Sequence, residues 1–139
     1  MEVVVEGGIT GFTEEILAGT HPLIADQPVS AGGTDAGPTP YELLLAALGA
    51  CTSMTIAMYA RRKSWPLIGI TVKLRHSKVH AQDCADCETK EAKLDRIERH
   101  LQLHGALTAE QRQKLMEIAD KCPVHRTLTS GIDIQTQLL

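Results

Sequence analysis

Residues 39–63, TPYELLLAALGACTSMTIAMYARRK, decide how the rest of this chain is read. Thr39 is a fair helix N-cap. Pro40 suits the first helical position, and Glu42 completes a Thr-x-x-Glu capping box. From Leu43 to Ala60 nearly every residue is apolar or small, so no polar face is left for water. A helix of that kind is buried on most of its sides. It turns cationic only at Arg61-Arg62-Lys63, where positive charge complements the helix dipole, and Pro66 stops it. Gly49, in mid-helix, costs about 1 kcal/mol against alanine and so points to close approach of another element.

Working outward, Val3–Val5, Phe12–Leu17 and Leu23–Ala25 read as three short strands of a meander, punctuated by glycines. Residues 26–40 form a Gly/Pro/Ser/Thr/Asp-rich loop. After the helix, residues 67–80 alternate strongly, with Ile68, Ile70, Val72, Leu74, His76, Lys78 and His80 on one face. Residues 96–105 suit a partner strand with Ile97, Arg99, Leu101 and Leu103. Thr108 opens a second helix with another capping box (Gln111), ending near Lys121. A turn through Pro123 leads to an expected last strand, Ile132–Leu138. The order predicts one α+β domain over residues 1–139 with antiparallel sheet. A helix as apolar as 43–60 is hard to cover with so small a sheet, and burial between two subunits is the simpler solution.

Composition excludes several function classes. The 139 residues include one Trp, one Phe and two Tyr, too few for a nucleic-acid stacking platform. Residues 1–60 contain no Lys or Arg and seven acids (Glu2, Glu6, Glu14, Glu15, Asp26, Asp35, Glu42). All 14 basic residues follow, diluted by the remaining acids, so no clustered cationic surface is expected. No signal peptide is visible, and the run Leu43–Ala50 is too short to span a bilayer. A cytoplasmic location is expected, with no membrane or nucleic-acid partner. In a reducing compartment four cysteines suggest catalysis, redox chemistry or metal binding rather than staples.

Each cysteine has a bland and a chemical reading. Cys51 lies in mid-helix among small residues and could be only a small hydrophobe. Cys122 ends the second helix in Lys121-Cys122-Pro123-Val124-His125-Arg126. Its flanking cations favour a thiolate, or simply cap a helix. Cys84 and Cys87 form a lone C-x-x-C. With His76 and His80 they are weak candidates for a zinc site, because strand histidines four apart are roughly 13 Å from each other.

The segment Gly37 to Cys51, GPTPYELLLAALGAC, resembles the central-helix motif of the OsmC/Ohr family, and Cys122-Pro123-Val124-His125 resembles that family's second cysteine segment. The element order matches over essentially the whole chain. The resemblance implies an OsmC-like fold, with antiparallel sheets around long central helices, in an intertwined homodimer. It implies thiol-dependent reduction of small hydrophobic hydroperoxides as oxidative stress defence, without a cofactor. Cys51 would attack the peroxide, Glu42 would assist, and Cys122 would close a disulfide that an external thiol reduces. Two departures stand out. The family's peroxidases use an arginine in their N-terminal loops, and this chain has no cation before Arg61. The family's catalytic Glu directly follows the motif proline, where this chain has Tyr41; Glu42 is the neighbouring acid. His125, Arg126 or a basic residue of a second subunit are the candidate substitutes. The alternatives are a redox-sensing or small-ligand-binding module without turnover, and a zinc protein using the C-x-x-C loop.

Overall fold

The computed structural model describes residues 1–80 and 93–139, and within it the chain forms two compact units, Met1–Leu44 and Leu45–Leu139. The first is the expected meander. Strands β1 (Val3–Gly7), β2 (Glu14–Ala18) and β3 (His21–Ala25) pair antiparallel in that order. Val3 lies opposite Ala18, and Glu14 opposite Ala25. A single 3-10 turn, Val29–Ala31, follows in the loop.

Asp26 organises that loop. Its carboxylate is buried, yet among the described residues no cation pairs with it. Oδ1 accepts the Gln27 amide at 2.7 Å. Oδ2 accepts the Thr34 hydroxyl at 2.6 Å, the Thr13 hydroxyl at 3.1 Å, and the amides of Ala36 and Thr34 at 3.2 and 3.3 Å. Donors aimed at an anion favour the charged form. The Thr34 hydroxyl leads, with the Gln27 and Ala36 amides and Thr13, in holding the carboxyl well below the usual range against the opposing effect of burial. The loop passes so close that a Cβ on Gly33 would collide with the Gln27 carbonyl and come within 2.8 Å of Asp26 Oδ1.

Helix α1 (Pro40–Arg62) begins in the first unit and continues into the second. Its capping box forms as the sequence predicts. The Thr39 hydroxyl accepts the Glu42 amide at 3.2 Å, and Glu42 Oε2 accepts the Thr39 amide at 2.9 Å.

In the second unit, α1 is accompanied by a long hairpin of β4 (Leu67–His80) and β5 (Lys93–Gly105), whose register runs from Leu67 opposite Gly105 to His80 opposite Lys93. Gly49 does what its place in the helix suggested: a Cβ there would lie 2.8 Å from Leu74 Cδ1 of β4. Helix α2 (Ala109–Ala119) carries the predicted Thr108–Gln111 box. Ile56, Ala60, Leu115, Ile118 and Ala119 form the core, flanked by Tyr59, Trp65, Leu67, Ile70, Leu101 and Leu103.

Four expectations change. A register shift between Leu67 and Gly69 sends Leu67 to the core and leaves Ile68 84% exposed. The turn after α2 is a short helix, α3 (Pro123–Leu128), because Pro123 sits at the first helical position and Cys122 caps it. Residues 132–138 form no strand: their alternation meets no partner edge among the described residues. The helix 43–60 buries one stripe (Leu48, Gly49, Thr52, Ile56, Ala60) rather than most of its sides, and Met54 and Met58 are 70% and 61% exposed. An 18-residue window of α1 has a mean hydropathy of 1.7 and is only 22% buried. By length and composition alone the helix could therefore cross a membrane, since Gly, Ser, Thr and Cys interrupt an apolar run without making it polar. Core helices of soluble proteins meet the same criterion.

Candidate active site

Cys51 lies on α1, half-buried and unbridged. Its backbone carbonyl accepts the Thr55 hydroxyl at 2.7 Å. Cys122 is also unbridged and is completely buried. Its sulfur serves as the N-cap of α3, accepting the His125 amide at 3.2 Å. On its other side it lies 3.9 Å from the hydroxyl of Thr52, the residue that follows Cys51. The fold thus brings the second cysteine segment against the turn of α1 that carries the first cysteine.

A cation joins this cluster from an unforeseen direction. Arg99 stands on the inward face of β5, between Ile97 and Leu101, with its side chain 12% exposed. Nη1 donates to Thr52 Oγ1 at 3.1 Å, and Nη2 pairs with Asp120 Oδ1 at 2.7 Å. Asp120 is the C-cap of α2, and His125 Nδ1 lies 3.9 Å from the same oxygen. Of the cations expected here, His125 is therefore in the cluster, whereas Arg126 is exposed on the last turn of α3. Arg99, Asp120 and Thr52 escaped sequence reasoning. The available signal was an arginine at a strand position whose neighbours two residues away are apolar, where an isolated charge must find partners.

Beside the cluster, one helical turn from Thr52, opens a cavity of about 400 Å³. Leu48, Ile97 and Leu128 wall it, and Asp95, Arg99, Asp120 and His125 give it polar edges.

Glu42 spends Oε2 on capping α1, within the first unit. His76 pairs with Asp95 at 2.8 Å, and Lys78 reaches the same carboxylate oxygen at 3.2 Å. Those hydrogen bonds, His76's foremost, lower the Asp95 carboxyl below its ordinary range. His80 is exposed at the end of β4, and Cys84 and Cys87 lie outside the described residues. Among the described residues no three His, Cys, Asp or Glu side chains gather to hold a metal ion.

The OsmC family model, described as OsmC-like protein, matches residues 33–137. Solved structures share the fold at low identity. An OsmC-like protein from Mycoplasma pneumoniae is 18% identical, with a TM-score of 0.72 over 91% of this chain and 85% of its own. An organic hydroperoxide resistance protein OsmC from Legionella pneumophila is 21% identical, with 0.66 over 95% and 90%. The organic hydroperoxide resistance protein OhrB of Bacillus subtilis is 18% identical, with 0.63 over 95% and 92%. The comparison with curated proteins returned no match.

Proposed function

Because this chain belongs to the OsmC family, we propose that it reduces organic hydroperoxides as a single OsmC-like domain with a two-cysteine cycle. The Cys51 thiolate attacks the distal peroxide oxygen, the O–O bond breaks to leave a Cys51 sulfenic acid, and the departing alkoxide takes a proton from water and leaves as an alcohol. The Cys122 thiol then attacks that sulfur, its proton leaves with the hydroxyl as water, and a disulfide remains. An external dithiol returns both cysteines to thiols by exchange. The supporting observation is the contact of Cys122 Sγ with Thr52, next in chain to Cys51. The two relatives whose descriptions name organic hydroperoxide resistance favour the same chemistry.

The protein acts in this reading as a cytoplasmic homodimer. The outward face of α1 with Met54 and Met58 is the surface that a second copy would cover, since a patch of this kind is expensive to leave in water. Glu42 acts as the assisting acid and His125 as a supporting group, while Arg126 contributes only at the rim.

One observation favours a second reading, a redox-sensing or ligand-binding module without turnover. The first 60 residues hold no cation, and the charge of Arg99 is already balanced by Asp120.

The deciding experiment adds one equivalent of cumene hydroperoxide to the reduced protein and measures intact and peptide masses. Loss of two hydrogens with a Cys51–Cys122 linked peptide is the expected result. Two unchanged thiols would sink the peroxidase and leave the module.

A further inference from the structure

We propose that Arg99 is a positioning residue for disulfide closure: through the Thr52 hydroxyl it holds Cys122 where its sulfur can reach Cys51. The inference rests on the Cys51–Cys122 pairing of the reading above, not on hydroperoxide being the oxidant.

Thr52 is fully buried and its hydroxyl has one hydrogen, which goes to the Leu48 carbonyl at 2.7 Å. A threonine in a helix has two usable rotamers, one of them making this bond four residues back. Arg99 Nη1 donates into the same oxygen at 3.1 Å and so selects that rotamer. The Thr52 hydroxyl so fixed is the group that the Cys122 sulfur packs against at 3.9 Å. The sulfur also accepts the His125 amide. Cys122 is thereby held from two sides.

The other half of the guanidinium acts on the backbone that delivers Cys122. Asp120 precedes Cys122 by two residues, at the junction of α2 and α3, and Arg99 Nη2 grips it at 2.7 Å. One planar fork therefore ties the α1 turn beside Cys51 to the junction that carries Cys122, and a fork of fixed geometry transmits position better than a lysine does. Its charge is neutralised by Asp120 in the same grip. That separates the role from that of an activating cation: Arg99 supplies place rather than field.

The test reads the second step alone. Diamide, an azodicarboxamide oxidant, is attacked by the Cys51 thiolate to give a sulfur–nitrogen adduct. Cys122 attacks that sulfur, the S–N bond breaks, and the reduced hydrazine leaves with the proton. Closure is followed by quenching with N-ethylmaleimide and intact mass, for the wild type, Arg99→Met, Thr52→Val and the double variant. First-step rates come from Cys51 adduct formation in a Cys122→Ser background.

Each single variant should slow closure roughly ten- to a hundredfold, as misplacement of a reacting group does. The double variant should be no slower than the slower single one, because both break the same link. Thr52→Ser should close near the wild-type rate, Arg99→Lys should fall between, and the first step should be unchanged in all. Multiplying effects in the double variant, wild-type closure in either single variant, or an equal slowing of the first step would overturn the proposal. If Arg99→Met does not fold, the Thr52→Val and Thr52→Ser pair with Arg99→Lys carries the decision. A wild type that closes with diamide but not with hydroperoxide refutes the peroxidase and leaves Arg99 to be judged by the cycle. A wild type that closes with neither refutes both.

Discussion

Two polar hubs, one in each unit, solve the same problem by different means. Around Asp26 a buried carboxylate is satisfied, among the described residues, by amides and threonine hydroxyls. Around Arg99 a mostly buried guanidinium is satisfied by an exposed carboxylate and a buried threonine. The first hub is closed, with its donors on the loop itself and on Thr13, just before β2. The second reaches outward and links a strand, a helix and a helix junction. A closed hub serves its own loop, whereas a linking hub can set the distance between two reactive groups. The first unit, Met1–Leu44, holds no Lys or Arg of its own, and its hub is built from its own amides and hydroxyls.

The comparison breaks most severely at Asp26. Asp26→Ala leaves two threonine hydroxyls and three amides without their acceptor, and the loop over residues 26–36 should lose its order. Hydrogen exchange should show its amides unprotected while α2 keeps protection, and full protection in the variant would refute the hub's role. Gly33→Ala is next. Its Cβ must displace the Gln27 carbonyl or Asp26 itself, at a cost of about 1–3 kcal/mol, measurable by denaturant melts of the full chain.

The same carboxylate makes a pH prediction. Its folded pKa is lowered from 3.8, so below that range the unfolded chain binds the proton more readily. The stability it contributes is fully present above about pH 5 and is lost as pH falls through and below the ordinary carboxylate range. Asp26→Asn should flatten the acid limb of stability against pH, and an unaltered limb would assign acid sensitivity elsewhere. The smallest effect belongs to the other hub. Asp120 is exposed, so Asp120→Asn should change stability by no more than about 1 kcal/mol. A larger loss would mean that the Arg99 pair acts as a structural strut as well as a link.

These contrasts also show where sequence was informative. Features set by a few neighbouring residues were legible: both capping boxes, the hairpin pairing of 67–80 with a later strand, and the close approach at Gly49. Features that depend on what lies opposite were not. Ile132 to Leu138 alternate like a strand, but alternation does not supply an edge to pair with. The bulge that turns Ile68 outward has no local signature strong enough to break the alternation. Helix α3 was missed because cysteine is not a residue expected at an N-cap. The pairing of Cys51 with Cys122 rests on resemblance to two short motifs, and neither residue by itself points to the other. Arg99 was visible as an anomaly on an apolar strand face, yet its partners lie 47 residues away in Thr52 and 21 away in Asp120, and no periodicity reports contacts at such separations.

The sulfur cap on α3 has one more consequence. Cys122 Sγ is at once the atom that would close a disulfide and the acceptor of the His125 amide. A helix of six residues has little cooperativity of its own and leans on its first turn. Drawing that sulfur toward another partner leaves the amide to find water, and the helix frays from its beginning. The oxidation state of a single buried atom would then be broadcast as backbone disorder on the surface, where a reducing partner could sense which molecules need it.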